Sequence, residues 1–223
     1  MIRVVVFDFD GTLVDSNRVK HACMDKVVAG FAQGPAALAA ARQKGGDRYT
    51  LFVDVARRLD PIAEEDVIAA HSRELIARYS ACCARGVVGA VERRGARRTL
   101  AALKSRGLRV WINSATPERH LPELIRRRGL ARHFDGVRGG PASKVDILRD
   151  IMFIERVRPH EILFVGDGPD DLAAARKLRV PFVAITAENR IPGRRPFAMR
   201  DLTNLIALID RNAGKPVRRS RAS

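Results

Sequence analysis

Near the start of the chain, a short run of β-branched and aromatic residues ends abruptly in acidic residues and a glycine. Residues 2–7 read Ile-Arg-Val-Val-Val-Phe, and Asp8-Phe-Asp-Gly-Thr-Leu13 follows directly. A nearly continuous apolar run of this length is typical of a strand that is buried on both faces of a parallel sheet. Ligands bind such sheets beyond the carboxyl ends of their strands, so the sequence predicts a functional turn at Asp8.

From about residue 94 onward, helical and strand-like segments alternate. The pattern predicts strands at residues 108–112, 134–137, 161–165 and 181–185, and helices at residues 94–105, 117–128, 144–155, 169–178 and 201–209. Alternation of this kind indicates an α/β fold, with a Rossmann-like parallel sheet that is covered by helices on both faces.

Residues 16–90 form a different block, with helical periodicity and no convincing strand. Helices are predicted at residues 19–31, 36–43, 49–59 and 64–84. Because this block interrupts the α/β pattern after its first strand, we expect an inserted α-helical cap domain. The predicted domains are therefore a core at residues 1–15 and 91–210, a cap at residues 16–90, and a basic, disordered tail at residues 211–223.

The chain is strongly basic. Its 223 residues include 41 Lys and Arg against 25 Asp and Glu, which gives a formal charge of +16. Such a surplus favours polyanions, membrane surfaces or small anionic substrates as partners. No zinc-finger spacing and no aromatic-rich RNA-binding signature accompanies it, so we expect no specific binding of nucleic acid. Arg93, Arg94, Arg97 and Arg98 form a basic cluster before an apolar helical stretch. We interpret them as arginines on solvated faces, with weak non-specific affinity for nucleic acid as the alternative.

Other features exclude a membrane protein. No apolar run approaches the roughly 20 residues that span a bilayer, and the first residues lack the pattern of a signal peptide. We therefore expect a cytoplasmic protein, either a monomer or a homodimer. Cys23, Cys82 and Cys83 have no zinc-like spacing, and we expect them to be reduced cysteines inside helices.

Polar groups follow several of the predicted strands, and together they suit phosphoryl chemistry. Asp8 and Asp10 lie two residues apart on one side of an extended segment, where their like charges favour a bound cation. Mg²⁺ prefers oxygen ligands, and an aspartate can attack phosphorus to form an aspartyl-phosphate. A lysine offsets the charge repulsion of that attack, and a second aspartate can protonate the leaving oxygen.

These residues also carry a resemblance to a known family. Asp8-Phe-Asp-Gly-Thr-Leu13 resembles the first signature of the haloacid dehalogenase (HAD) superfamily. Ser114, Lys144 and Gly166-Asp-Gly-Pro-Asp-Asp171 resemble its second, third and fourth signatures, in order. The helical block resembles the C1-type cap of the members that are like phosphoglycolate phosphatase and β-phosphoglucomutase.

The resemblance implies a role for each matching residue. Asp8 would be the nucleophile and a ligand of Mg²⁺, and Asp10 would be the general acid and base, with its backbone carbonyl on the metal. Asp167 would complete the metal ligands, and Asp171 would support the metal's waters or Lys144. The phosphoryl group would be bound by Ser114, Lys144, Gly11 and Thr12.

Two of these assignments have alternatives. Thr116 competes with Ser114 as the phosphate-binding hydroxyl, and Asp170 competes with Asp171. The hydroxyl-x-x-Pro and Gly-Asp-x-x-x-Asp spacings of the family favour Ser114 and Asp171. Dehalogenases of the superfamily typically lack the second acid of the first signature, so the presence of Asp10 favours phosphoryl transfer.

Candidate substrate-recognition residues lie in the predicted cap. Asn17, Lys20 and His21 begin its first helix, and Arg48 lies in a Gly-rich loop that resembles the specificity loop of this cap type. An arginine can bind an anionic group through two hydrogen bonds.

The resemblance implies a Mg²⁺-dependent phosphatase that acts on a small phosphorylated metabolite. The first alternative is a phosphomutase, but Lys20 occupies the position of the cap histidine of those mutases. The second alternative is a non-catalytic binding protein that has the same fold.

Overall fold

A computed structural model describes residues 1–46, 48–186 and 197–213. The chain divides into two compact units, one formed by Met1–Asp15 with Val91–Ser223 and the other by Ser16–Ala90. We refer to them as the core unit and the cap unit. No helix within the described ranges is both long and apolar enough to cross a bilayer.

The cap unit is helical, as the sequence predicts for this block. Its helices are α1 (Asn17–Val28), α2 (Gly34–Lys44), α3 (Arg48–Leu59) and α4 (Glu65–Val88). Apolar residues at helical spacing form the interior between α3 and α4, where the rings of Phe52 and Tyr79 lie 5.4 Å apart. The cap unit therefore has an apolar core of its own.

The expectation of three reduced cysteines is wrong for two of them. Cys23 on α1 and Cys82 on α4 form a disulfide with a Cα–Cα distance of 5.7 Å, while Cys83 is buried and is not part of this bond. The two bonded residues are 59 positions apart in the sequence. Only the packing of α1 against α4 brings them together, which composition and local spacing do not reveal.

The core unit is built on a parallel sheet. Its strands are β1 (Val4–Phe7), β2 (Arg109–Pro117), β3 (Gly136–Gly140), β4 (Ile162–Gly166), β5 (Phe182–Ile185) and β6 (Phe197–Met199). They are arranged in the order β3-β2-β1-β4-β5-β6, and every described pairing is parallel. The predicted α/β class with a Rossmann-like sheet is thus confirmed.

The core unit also has five described α-helices and two short 3-10 helices. The α-helices are α5 (Ala96–Ser105), α6 (Leu121–Arg127), α7 (Lys144–Ile154), α8 (Pro169–Leu178) and α9 (Leu205–Ala213), and the 3-10 helices are Ala131–His133 and Pro159–Glu161. Apolar residues of α7 and α8 pack with those of β1, β4 and β5 in one buried cluster. The alternation of strands and helices seen in the sequence therefore reflects helices that cover a sheet.

The register of the central strands determines where the site lies. Phe7 at the end of β1 is paired with Ile112 of β2 and with Val165 of β4. All four residues of β1 are fully buried, as expected for a central strand. The chain crosses from one side of β1 to the other between β3 and β4, so the carboxyl end of β1 is the switch point at which such sheets bind ligands.

Several element boundaries differ from the prediction. β2 continues through Ser114 and Thr116 to Pro117, and the following helix begins only at Leu121. The pairing of β2 with β3, which continues to Pro117 across an irregularity, explains the extra length. Strand β6 was not predicted. Helix α9 ends at Ala213, so it includes Arg211 of the predicted tail, whose residues 214–223 lie outside the described residues.

Gly166 at the end of β4 allows a close approach of two chain segments. A Cβ at this position would lie 2.4 Å from Cγ of the buried Asp171. We expect Gly166→Ala to lower the free energy of unfolding by about 1–3 kcal/mol, because the buried carboxyl has little space to move. Guanidinium unfolding measures this change. Gly30→Ala is the control, since no atom lies within 4 Å of its Cβ position, and an equal loss in both variants would contradict the argument.

Candidate active site

The turn after β1 holds two acidic residues in buried positions. The backbone N–H of Asp8 donates to the carbonyl of Val165 at 2.8 Å, which continues the pairing of β1 with β4. Gly11 has a φ of +83°, a conformation that favours glycine. Its N–H donates to the carbonyl of Val14 at 2.7 Å and closes the turn. Asp8 and Asp10 are both buried, at 4% and 7% exposure.

Lys144 joins two acidic residues at this end of the sheet. It is the first residue of α7, and its Nζ donates to Asp8 Oδ1 at 2.9 Å and to Asp171 Oδ1 at 2.5 Å. The helix begins after Ser143, whose Oγ accepts from the N–H of Asp146 at 3.2 Å. Strand β1 and helices α7 and α8 therefore each place one charged group at a common point.

The charges of this cluster influence one another strongly. Burial alone lowers the pKa of Lys144, but the negative charges of Asp171 and Asp8 outweigh it and raise that pKa above its usual value. Burial raises the pKa of Asp171, with the charge of Asp8 adding to the rise, while the ammonium group of Lys144 opposes it. Lys144 is therefore a permanent cation at physiological pH, and it partly neutralises the acidic residues around it.

The acidic residues fit a divalent cation. One carboxylate oxygen each from Asp8, Asp167 and Asp171 lies within 4.8 Å of the others, and all three residues are buried. The hydroxyl of Thr12 lies 3.5 Å from Asp8 Oδ2 and 3.3 Å from Asp167 Oδ1. Three carboxylates near one ammonium group leave an excess of negative charge, and Mg²⁺ prefers oxygen ligands of this kind.

Asp10 has a different environment from Asp8. Its Oδ2 accepts a hydrogen bond from Thr116 Oγ1 at 2.8 Å. Ser114 Oγ in turn accepts from the backbone N–H of Thr116 at 3.1 Å. Thr116 and Ser114, the two alternative phosphate-binding hydroxyls, therefore have different contacts. Thr116 donates a hydrogen bond to Asp10, whereas Ser114 accepts one from the backbone of Thr116.

Two residues of the site were not identified from the sequence. The fully buried Asn113 donates from Nδ2 to the backbone carbonyl of Lys144 at 2.8 Å. Arg93 Nη2 donates to the carbonyl of Gly11 at 2.8 Å and lies 3.5 Å from Asp15 Oδ1. The side chain of Arg93 is only 10% exposed, so the interpretation of this residue as part of a solvated face is wrong.

The sequence offers little indication that Asn113 and Arg93 belong to the site. Asn113 is a polar residue that directly follows an apolar strand, which marks it as a candidate for an anchoring role. Arg93 carries no such signal, because it lies among other arginines and its partner Gly11 is 82 residues away. Pairing between the segments around Leu13 and Arg93 creates the contact, with the N–H of Arg93 donating to the carbonyl of Leu13 at 2.8 Å.

The remaining candidate residues all belong to the cap unit. Asn17, Lys20 and His21 lie on α1, and Arg48 is the first residue of α3. The Cζ atom of Arg48 is 5.8 Å from the ring centroid of Tyr49 and 6.0 Å from that of Tyr79, which is a cation–π arrangement. These four residues remain predicted substrate-recognition residues.

Comparison with known proteins identifies the family. A family model described as haloacid dehalogenase-like hydrolase matches residues 2–179, so the chain belongs to this family. The resemblance drawn from the four signatures is thereby confirmed.

Named relatives agree with this assignment. Phosphoglycolate phosphatase 1 of Pseudomonas aeruginosa is 32% identical over 194 residues, which cover 82% of this chain and 69% of the relative. Phosphoglycolate phosphatase of Pseudomonas fluorescens is 31% identical over 191 residues, with the same coverage. The crystal structure of a predicted phosphoglycolate phosphatase from Haemophilus somnus 129PT has a TM-score of 0.74 at 18% identity and covers 93% of this chain and 98% of its own. This protein is a phosphatase of the HAD-like hydrolase family.

Mutation of Thr116 tests whether its hydrogen bond to Asp10 contributes to catalysis. We expect Thr116→Val to lower kcat for hydrolysis of an aryl phosphate by about tenfold, the equivalent of one hydrogen bond to a charged group. Thr116→Ser keeps the donor and should restore most of the rate. Thr99→Val is a matched control, since it removes the buried hydrogen bond from Thr99 Oγ1 to the carbonyl of Leu202. Equal rates in Thr116→Val and the wild type would refute the role.

Lys144 can be tested through the pH dependence of stability. In Lys144→Met, burial raises the pKa of Asp171 without an opposing cation. A buried carboxyl with a raised native pKa keeps a proton that the unfolded chain has already lost, so stability falls as the pH rises above about 4. We expect a loss of about 3–5 kcal/mol at pH 8 and a smaller loss at pH 5, measured by urea unfolding in EDTA.

The control for this experiment is Arg149→Met, which removes the exposed ion pair between Arg149 and Asp146. That variant should show little change at either pH, because solvent screens exposed pairs. A loss in Lys144→Met that does not depend on pH would show that the buried carboxylates do not need the ammonium group.

Proposed function

We propose that this enzyme hydrolyses a small phosphate monoester in a Mg²⁺-dependent reaction, through an aspartyl-phosphate on Asp8. The observation that carries the proposal is the contact of Lys144 with Asp8, beside the cluster of Asp8, Asp167 and Asp171 at the switch point of the sheet. A carboxylate with a cationic neighbour on one oxygen and a neutral hydroxyl near the other is suited to attack an anionic phosphoryl group.

In the first step, a carboxylate oxygen of Asp8 forms a bond to phosphorus and the bond from phosphorus to the ester oxygen breaks. Asp10 donates a proton to that leaving oxygen. In the second step, Asp10 takes a proton from water, which attacks the phosphoryl group on Asp8 and releases inorganic phosphate. The hydrogen bond from Thr116 holds the Asp10 carboxylate in one orientation during both transfers.

Mg²⁺ would be held by Asp8, Asp167 and the backbone carbonyl of Asp10, and Asp171 would support Lys144 or the waters of the metal. When bound, the ion would neutralise part of the negative charge on the oxygens of the phosphoryl group that is transferred. The grouping of buried carboxylate oxygens supports this assignment.

Phosphate binding is assigned to Ser114, Lys144 and Thr12. Lys144 supplies a positive charge beside the nucleophile, and Ser114 and Thr12 supply hydroxyl groups close to the ends of β2 and β1. The remaining predicted residue, Gly11, has its N–H engaged by Val14, so its contribution is the left-handed conformation of the turn.

The relatives guide the choice of substrate. Because they are named as phosphoglycolate phosphatases, 2-phosphoglycolate is the first compound to test among small phosphate monoesters. We propose that Arg48, Lys20, Asn17 and His21 of the cap unit recognise the leaving group. Arg48 and Lys20 are cations that suit an anionic group, and Asn17 and His21 can donate hydrogen bonds to it. We also propose a cytoplasmic location and a monomer or homodimer as the active form.

A phosphomutase would use the same first step but would return the phosphoryl group to the substrate. Lys20 at the position of the mutase histidine favours hydrolysis. Products distinguish the two reactions, because a phosphatase releases one equivalent of inorganic phosphate for each substrate consumed, whereas a mutase yields an isomeric phosphate ester.

Asp8→Asn tests the nucleophile directly. We expect it to abolish phosphate release from 2-phosphoglycolate and from an aryl phosphate in the presence of Mg²⁺, because an amide is a poor nucleophile for phosphorus. EDTA should abolish the activity of the wild type. The matched control is Asp170→Asn, which changes an exposed acid beside Asp171 and should retain activity.

The outcomes separate the possible assignments. Substantial turnover by folded Asp8→Asn would exclude Asp8 as the nucleophile. Loss of activity in Asp170→Asn would instead favour Asp170 as the acid of the fourth signature. A wild type that binds 2-phosphoglycolate without releasing phosphate would show that this ester is not the substrate.

A further inference from the structure

The cap unit contains a groove of about 300 Å³ that is distinct from the candidate active site. Its lining residues come from α1 and α4 and are Lys26, Val27, Arg78, Ala81, Cys82 and Arg85. Arg78, Cys82 and Arg85 have the i, i+4, i+7 spacing that places residues on one face of a helix. We call this feature the cationic groove, because three of its six lining residues are cations and none is acidic.

The positive charges of the groove are poorly compensated. Within the described part of the chain, Lys26 and Arg85 have no hydrogen bond or ion pair from their side chains. Arg78 has one acidic neighbour, Glu74, at the long distance of 3.9 Å, and both side chains of that pair are exposed. Three cations on one small surface attract an anion, and the attraction weakens as salt screens it.

Of the two cysteines in the disulfide, only Cys82 lines this groove. Cys82 is a partly exposed lining residue, whereas Cys23 is only 4% exposed and does not line the groove. Thiol–disulfide exchange requires a thiolate to reach one sulfur and displace the other. A thiolate in the groove therefore lies beside Cys82, and its attack on Cys82 Sγ would make Cys23 the residue that leaves.

We propose that the Cys23–Cys82 disulfide is a thiol-exchange site, and that its reaction partner is an anionic low-molecular-weight thiol bound in the cationic groove. The thiolate sulfur of this partner forms a new bond to Cys82 Sγ, and the bond between Cys82 and Cys23 breaks. The electron pair of the broken bond goes to Cys23 Sγ, which takes a proton from solvent. The thiolate of a second molecule of the same thiol then attacks the sulfur of the first molecule in this mixed disulfide. The bond to Cys82 Sγ breaks, Cys82 takes a proton from solvent, and the two small molecules leave as an oxidised dimer.

The cations contribute to this chemistry in two ways. They concentrate a thiol that carries carboxylates, and they stabilise the thiolate of Cys82 after release. The neighbouring Cys83 is buried and has no comparable access, so the groove selects Cys82 between two adjacent cysteines. The residues of this site are separate from Asp8, Asp10 and Lys144, so the proposal does not depend on the phosphatase mechanism.

The experiment compares three thiols of different charge on the oxidised full-length protein. Mercaptosuccinate is anionic, 2-mercaptoethanol is neutral and cysteamine is cationic, and each is used at the same thiolate concentration. The reaction is quenched with acid and alkylated, and peptide mass analysis locates the mixed disulfide. We expect the adduct on Cys82, with the rate highest for mercaptosuccinate and lowest for cysteamine. The differences should diminish in 1 M salt.

Charge variants test the groove itself. The double variant Lys26→Gln and Arg85→Gln should slow the reaction of mercaptosuccinate by about fivefold for each charge removed, and should leave that of 2-mercaptoethanol unchanged. Arg73→Gln is the control, because it removes an exposed cation of the same helix that does not line the groove. A second variant, Cys23→Ser, leaves Cys82 as a free thiol, which should react faster with an anionic aryl disulfide than with a neutral one.

Several results would overturn the proposal. They are equal rates for the three thiols, an adduct on Cys23 or Cys83, and failure of a mild thiol oxidant to form the Cys23–Cys82 bond in reduced protein. Loss of reactivity towards 2-mercaptoethanol in the double variant would also count against it, since that loss would reflect a change of structure rather than of charge.

Discussion

The ammonium group of Lys144 lies between the carboxylates of Asp8 and Asp171, and the arrangement of the site depends on this buried pairing of charges. Two buried carboxylates without a cation repel each other and favour protonation. The cation therefore offsets the repulsion between Asp8 and Asp171. It also joins the ends of β1, α7 and α8, because each contributes one of the three groups.

The sheet makes this pairing possible by aligning its strands. β1 lies between β2 and β4 in parallel register, so the residues after Phe7, Ile112 and Val165 emerge at one level. Hydrogen bonds from uncharged side chains then orient the charged residues at this end of the sheet. Thr116 donates to the carboxylate of Asp10, and Asn113 donates to the backbone carbonyl of Lys144. Chemistry at such a site relies on groups that are held in place before the substrate arrives.

The cap unit has a different chemical character. Its interior is apolar, its surface groove is cationic, and a disulfide joins two of its helices. The main error of the sequence interpretation was the expectation that Cys23 and Cys82 are reduced, because the two residues form a disulfide. A protein expected in the cytoplasm is expected to have reduced thiols, but exchange with a small thiol is compatible with a bond that forms and breaks there.

Most of the core could be predicted from the sequence, because the apolar run of β1 and the acids after it are contiguous and their physical meaning is local. The same holds for the alternating helices and strands and for the four signatures, which led to Asp8, Asp10, Lys144 and Asp171. Other features required the tertiary structure: the strand β6, the hydrogen bond of Thr116 to Asp10, the contact of Arg93 with Gly11, and the disulfide. Each joins residues far apart in the chain, and which distant groups meet is decided by strand register and helix packing rather than by local spacing.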